Sequence, residues 1–240
     1  MRKFGLIGYP LGHSFSPSYF AKKFEKLGID DCTYSSFELE ELGNLKELIR
    51  QENISGLNVT IPYKQEVFKC LDWIEYNAVH IGAVNTIKVI DGKLLGYNTD
   101  YLGFLNSIAA HLNLNDKALV FGTGGSSKAI VYALQQLNIE NTLVSSSNTK
   151  VLNYNQLKNK DVEDHRLLIN TTPLGMYPKT EDCVDIPYEA ISQNHICYDL
   201  VYNPQETKFL QLAQALGAST FSGKKMLENQ ADLSWNIWNA

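Results

Sequence analysis

The 240-residue chain has no apolar run approaching the roughly 20 residues that a helix needs to cross a bilayer, so no membrane partner is expected. Its first residues, MRKFGLIGYP, carry two basic groups but too short an apolar stretch for a signal peptide, which gives the expectation of a cytoplasmic protein. Paired cysteines are also missing. Cys32, Cys70, Cys183 and Cys197 are widely spaced, with no C-x-x-C and no Cys or His ligands at finger-like spacing. That argues against a zinc site, so no metal is expected, and it favours reduced, mostly buried thiols. Positive charge is not in excess: 21 Lys and Arg against 26 Asp and Glu give a formal net charge of -5, so no nucleic-acid partner is expected. There is no internal repeat, no low-complexity tract, and no G-K-[ST] after a glycine loop, which excludes a phosphate-cradling P-loop. What remains is a composition of 44% hydrophobic and 20% charged residues, that of a globular chain able to bury a core, at a length allowing one large domain or two ordinary ones.

Strand and helix patterns alternate along the whole chain. Strands are expected at 4–7, 33–37, 54–59, 83–89, 93–96, 142–145, 167–170 and 196–199, with an Asp91-Gly92 turn joining the fourth and fifth. Helical spacing marks 18–27, 39–50, 65–71, 101–112, 207–216 and 225–238, and residues 117–137 read as strand, glycine turn and helix. Alternation of this kind implies parallel sheets. Two such runs, before and after the helix near residue 101, predict two α/β domains.

Three short stretches place polar side chains two residues apart near predicted element ends: Ser14 and Ser16 in GYPLGHSFSP, Asn58 and Thr60 in LNVTIP, and Asn98 and Asp100 in GYNTD. In extended backbone such pairs face the same side. Hydroxyls and amides so paired suit a small, oxygen-rich ligand, hydroxyls donating to a carboxylate and amides both donating and accepting. The same residue types also make turns and helix caps, and Asp100 is placed to cap the helix that follows it. Lys64 follows Pro62 near the start of a predicted helix, where a cation is poorly placed for the macrodipole. Sequence spacing does not show that Lys64 meets Asp100.

In the second half, VFGTGGSS lies between a buried strand and a helix, the position of a dinucleotide-binding turn. Gly122 permits the tight turn, and Gly124 lets backbone approach a pyrophosphate held at a helix N-terminus. Ser127 stands where the third glycine of the fingerprint belongs. A similar turn serves S-adenosylmethionine enzymes, and some bind nothing. The stretch after the next strand, LVSSSNTK, has no acid to hold a ribose 2′-hydroxyl, and this permits NADP.

The motifs GYPLGHSFSP, GLNVTIPYK, IGAVNTI, GYNTD, FGTGGSS, INTTPLGM, YDLVYNP with Thr207, and GKKMLENQ occur in register from the first strand to the last helix. By these the chain resembles the shikimate/quinate dehydrogenase family. The resemblance implies an N-terminal substrate-binding and catalytic domain, 1–100, completed by a C-terminal helix at 225–240. It implies a Rossmann-type NADP-binding domain, 101–224, with the active-site cleft between the two. The implied activity is NADPH-dependent, reversible reduction of 3-dehydroshikimate to shikimate by a monomer or homodimer. Lys64 and Asp100 are then the catalytic pair, and Ser14 and Ser16 grip the substrate carboxylate. Asn58, Thr60, Asn85, Tyr202 and Gln230 hold substrate. Gly122, Thr123, Gly124, Gly125 and Ser126 form the pyrophosphate turn. Ser146 and Lys150 lie on the 2′-phosphate side, Asn170 and Thr171 on a cofactor-side loop, and Leu200 and Gly223 near the nicotinamide.

The chain departs from the family pattern in three ways. The histidine-asparagine pair usual after HSxSP is absent, the sequence reading PSYFAKKF; serines replace the N-R-T that often follows the second cofactor strand, with Ser146 in place of the arginine; and the chain is somewhat short. Two rivals share the motifs: a quinate/shikimate dehydrogenase that uses NAD, and a non-catalytic sensor of the same metabolite, which should have lost Lys64 or Asp100. A methyltransferase leaves the first domain unexplained.

Overall fold

The computed structural model describes residues 1–12 and 14–240; His13 of the opening loop lies outside the described residues. The chain divides into two compact units, one of Met1–Asp100 with Gln230–Ala240, the other of Tyr101–Asn229.

The first unit is built on β1 (Arg2–Gly8), β2 (Cys32–Glu38), β3 (Ile54–Val59), β4 (Trp73–Ile74), β5 (Thr86–Ile90) and β6 (Lys93–Tyr97), in the order β2-β1-β3-β5-β6-β4. The apolar run from Phe4 to Ile7 makes β1 a central strand, buried from residue 4 to residue 8. The expected parallel sheet is here a mixed one. Strands β1, β2 and β3 run parallel, but β5 pairs antiparallel with both β3 and β6. The cause is local: Asp91 and Gly92 both adopt left-handed backbone, with φ of 51° and 74°, and so close a tight hairpin that needs no helical crossover. Helices α1 (Phe15–Leu27), α2 (Leu45–Glu52) and α3 (Tyr76–Ile81) belong to this unit. Phe20 and Phe24, one turn apart, are the buried stripe of α1. The helix expected over 39–50 begins later, because Leu39 N–H bonds back to the Gly8 carbonyl and a 3₁₀ turn, Leu42–Asn44, intervenes before α2. The helix expected at 65–71 is a single 3₁₀ stretch, Glu66–Cys70.

The second unit carries β7 (Lys117–Phe121), β8 (Glu140–Val144), β9 (Leu167–Asn170), β10 (Ile196–Asp199) and β11 (Ser219–Ser222) in one sheet, order β11-β10-β9-β7-β8, with every pairing parallel. Its helices are α4 (Asp100–Ile108), α5 (Gly125–Gln136), α6 (Asn159–Glu163), α7 (Lys208–Ala215) and the opening turns of α8 (Lys224–Asn239). The chain leaves β7 toward β8 on one side and resumes with β9 on the other, so a topological switch point lies beyond the carboxyl ends of β7 and β9, where doubly wound sheets bind ligands. The boundary between units falls inside α8. From Gln230 onward that helix belongs to the first unit, where Ala231, Trp235 and Trp238 share a buried cluster with Phe4, Phe20 and Phe24. All four cysteines are free. No helix among the described residues is long and apolar enough to cross a membrane, and those residues hold no metal-ligating cluster.

Candidate active site

In the first unit the ends of β3, β5 and β6 converge on a buried polar cluster. Lys64 Nζ donates to Asp100 Oδ2 at 2.6 Å, with side-chain exposures of only 14% and 5%. A charge pair so shielded from water is held by its geometry rather than screened away. The other carboxylate oxygen, Oδ1, accepts from Asn85 Nδ2 at 2.8 Å. Asn85 is itself oriented by a backbone group: Thr99 N–H donates to its Oδ1 at 2.7 Å, so its amide nitrogen must face Asp100. Gln230 Oε1 lies 3.3 Å from the same amide nitrogen. The structure therefore gathers Lys64, Asn85, Asp100 and Gln230 from four distant parts of the sequence.

The three expected polar pairs fare differently. Asn98 and Asp100 do not face one ligand. Asn98 Nδ2 donates to the Ala83 carbonyl at 2.9 Å, and its Oδ1 accepts from Asp100 N–H at 3.0 Å, a turn that leads the chain into α4. Ser14 and Ser16 are not on one extended segment, because α1 already begins at Phe15. Ser14 stands at the N-cap with extended backbone, yet its hydroxyl donates to the Leu11 carbonyl at 2.6 Å instead of capping the helix. Ser16 is buried in the first turn of α1 and lies against the Tyr34 hydroxyl. Asn58 is buried on β3, while Thr60 lies just past its end, half-buried, with its N–H on the Ile7 carbonyl.

Sequence reasoning missed the residues that hold Asn58. Tyr34 donates to its Oδ1 at 2.8 Å, Ser234 lies 2.9 Å from its Nδ2, and Thr86 lies 3.3 Å from the same nitrogen. Single Tyr, Thr and Ser residues at these positions gave no spacing signal. The absent histidine-asparagine pair has a packing counterpart. In the stretch that replaces it, Phe20 is fully buried and stacks on Tyr34 with centroids 4.3 Å apart.

In the second unit the glycine turn sits at the switch point. Gly122 has φ +110°, and a Cβ there would meet Thr171 Oγ1 at 2.6 Å, so only glycine fits. Thr171, after β9, donates both its hydroxyl and its N–H to the Phe121 carbonyl, which joins the two strand ends. Ser127 is buried in the place of the third glycine and closes the turn by donating to the Gly122 carbonyl at 2.7 Å. Gly124 is the N-cap of the 12-residue helix α5, no side chain caps it, and nothing lies within 4 Å of where its Cβ would be. Thr123, Gly125 and Ser126 complete an open turn whose leading amides suit a pyrophosphate. After β8, Ser145 is buried and accepts from the N–H groups of Ser147 and Asn148, whereas Ser146 and Lys150 are exposed.

Asn170 is wholly buried and works inward. It donates to Asp199 Oδ1 at 2.9 Å and accepts the Thr172 hydroxyl at 2.6 Å. Asp199, at the end of β10, also accepts Val201 N–H at 2.9 Å and the Thr207 hydroxyl at 2.6 Å. Burial pushes its carboxyl up to about 6, against the pull of these three donors. The following residues, Leu200 and Tyr202, are half-buried. Gly223 packs against Leu200, whose carbonyl a Cβ on Gly223 would strike.

Residues 6–87 match the profile of the shikimate dehydrogenase substrate binding domain. A shikimate dehydrogenase (NADP(+)) of Methanococcus maripaludis is 38% identical over 253 residues, covering 98% of this chain and 90% of that protein. The crystal structure of shikimate dehydrogenase from Aquifex aeolicus superposes with a TM-score of 0.90 at 33% identity, over 100% of this chain and 92% of that one. That of shikimate 5-dehydrogenase from Thermus thermophilus, solved in complex with NADP(H) and shikimate, gives 0.88 at 31% identity, over 99% and 93%. With relatives this similar spanning its whole length, the chain belongs to the shikimate dehydrogenase family.

Proposed function

We propose that the protein reduces 3-dehydroshikimate to shikimate with NADPH, reversibly, as a step in aromatic amino acid and chorismate biosynthesis, working in the cytoplasm as a monomer or homodimer. The observation that carries this reading is the Lys64–Asp100 pair at 2.6 Å, shielded from water beside Asn85 and Gln230. The reduced nicotinamide supplies hydride to the C3 carbonyl carbon of the substrate. Lys64 meets the negative charge that grows on the carbonyl oxygen and gives that oxygen its proton. In the reverse direction its neutral amine takes the proton from the C3 hydroxyl. Asp100 fixes the ammonium in place, and Asn85 fixes Asp100.

Ser14 and Ser16 hold the substrate carboxylate. Ser14 does so by turning its proton from the Leu11 carbonyl to the ligand. Asn58, Thr60, Asn85, Tyr202 and Gln230 present donors and acceptors to the rest of the substrate. Residues 122–126 hold the pyrophosphate, and Ser146 with Lys150 meets the 2′-phosphate. Asn170 and Thr171 shape the cofactor-side loop, and Leu200 and Gly223 border the nicotinamide.

Initial rates with shikimate and quinate, each with NADP and NAD, test the reading, and shikimate with NADP should be the preferred combination. In Lys64→Ala, kcat should fall at least ~100-fold, the usual scale of general acid–base help. Asp100→Asn should be comparably impaired, and the double variant little worse than the poorer single one, since the two act as a unit. Near-normal turnover in Lys64→Ala would refute the assignment, and no turnover by the unmodified protein would favour a metabolite sensor.

A further inference from the structure

We propose that Ser234 is a positioning residue for the substrate site, setting the amide of Asn58 and the height of Gln230 through a single hydroxyl. The proposal rests on the functional reading above. Ser234 lies on α8, one turn after Gln230, and is completely buried. Its hydroxyl donates to the Gln230 carbonyl at 2.9 Å. A hydroxyl has one proton, so in the 2.7 Å contact with Thr86 Oγ1 the donor is Thr86. Asn58 Nδ2 donates to Ser234 Oγ at 2.9 Å. Ser234 thus donates once and accepts from its two closest donors, with Thr99 Oγ1 a longer neighbour at 3.3 Å.

The three closest partners come from α8, β5 and β3. With the amide nitrogen of Asn58 drawn to Ser234 and to the Asn85 carbonyl, Asn58 Oδ1 must face the other way, where Tyr34 donates to it. Tyr34 and Ser234 therefore grip opposite ends of one amide. Flipping the Asn58 amide would set its Oδ1 against the Asn85 carbonyl, acceptor to acceptor, and would withdraw the amide proton from Ser234. The same hydroxyl ties the helix turn carrying Gln230 to the two strands that carry Asn58 and lead out of Asn85. None of this requires Ser234 to touch substrate.

The test compares Ser234→Ala, Tyr34→Phe and the unmodified protein, with thermal melting to confirm that each variant is folded. The unmodified protein is first assayed with shikimate and NADP; failure there removes the functional reading and is distinct from failure of this proposal. Given turnover, Ser234→Ala should raise the KM for shikimate about 5- to 10-fold, the equivalent of one ordinary hydrogen bond, and leave the KM for NADP within about twofold. Shikimate affinity measured by calorimetry should weaken in step. Tyr34→Phe should show the same selective rise. In an Asn58→Ala background the further effect of Ser234→Ala on the shikimate KM should shrink to less than half, because one of its two routes to the site is gone. Equal changes in both KM values, or a lowered melting temperature with unchanged kinetics, would show that Ser234 serves packing alone and would overturn the proposal.

Discussion

Asp199→Asn should stabilise the protein at pH 8 and leave it unchanged near pH 4. Asp199 is fully buried at the end of β10, with donors from Asn170, Val201 and Thr207 around it. Even so its carboxyl is pushed from 3.8 up to about 6, because desolvation outweighs those bonds. The raised value means that the folded state holds the proton more tightly than the unfolded chain. Stability from this group is therefore fully present below pH ~4 and declines as pH rises to ~6. A shift of about two units corresponds to about 3 kcal/mol of penalty on the ionised form at pH 8. Asparagine removes that charge, keeps an oxygen for Asn170 and Val201, and turns an N–H toward Thr207. The Thr207 hydroxyl, which now donates at 2.6 Å, becomes an acceptor, as it must also when Asp199 is protonated, and its pull on the carboxylate is already contained in the net shift. The net expectation is a gain of about 3 kcal/mol at pH 8, or roughly 6–12 °C in the melting of a chain this size. Circular-dichroism melts of both proteins between pH 4 and 8 provide the measurement. A variant less stable at pH 8, or a difference that does not change with pH, would refute the reasoning, since either would mean that the hydrogen bonds to the carboxylate outweigh its burial.

Gly223→Ala should push the backbone off Leu200, where a Cβ has no room, at a stability cost of about 1–3 kcal/mol. The KM for NADPH should rise several-fold more than that for substrate, and equal changes would separate Gly223 from the nicotinamide side. Lys150→Ala should raise the KM for NADP and leave that for NAD nearly unchanged, and Ser146→Arg should sharpen the preference for NADP, since a guanidinium fork pairs with phosphate better than one flexible ammonium. Both side chains are exposed and able to reach a ligand, so kcat/KM favouring NAD in the unmodified protein would show that this loop does not select the cofactor.

Elements with a long enough pattern were legible in the sequence. The continuous apolar strands β1, β7, β9 and β10, the Asp91-Gly92 hairpin, and the glycine turn before α5 all carry local signals that the structure repeats. Strand β4, helices α3 and α6, and strand β11 have two to six residues each, too few to show a period. The mixed character of the first sheet followed from the hairpin already expected there, but alternation of strand and helix masked it. At the site, the family resemblance named Lys64 and Asp100 as a pair where spacing did not, and only the fold shows that 2.6 Å separates them. Period-two spacing misled at Ser14 and Ser16 because Pro17 can sit inside the first turn of a helix, where its missing N–H costs nothing. It misled at Asn98 because an Asn before a helix turns its side chain onto the backbone. Tyr34, Thr86 and Ser234 were invisible for a different reason: one polar residue on a buried strand or helix face has no pattern, and its meaning depends on which other buried group lies opposite.

The opening loop shows how local signals and fold combine. Its backbone is fixed from outside: Tyr9 N–H reaches the Ile61 carbonyl, Leu11 N–H reaches Glu38 Oε1 at 2.8 Å, and the Gly8 carbonyl receives Leu39 N–H. A loop anchored on two neighbouring strands can hold Ser14 at the start of the 13-residue helix α1 without movement of the helix. Serine at that position ordinarily caps, accepting from the first amides of the helix. Here the hydroxyl points back into the loop, so it does not occupy those amides. In the second unit Gly124 occupies the same position on α5 and has no side chain with which to cap. Under the proposed function an anion lies at each of these helix starts, the substrate carboxylate at one and the cofactor pyrophosphate at the other. In both cases the residue that would have satisfied the helix end internally is absent or turned away, which leaves the partial positive charge of the first turn to the ligand.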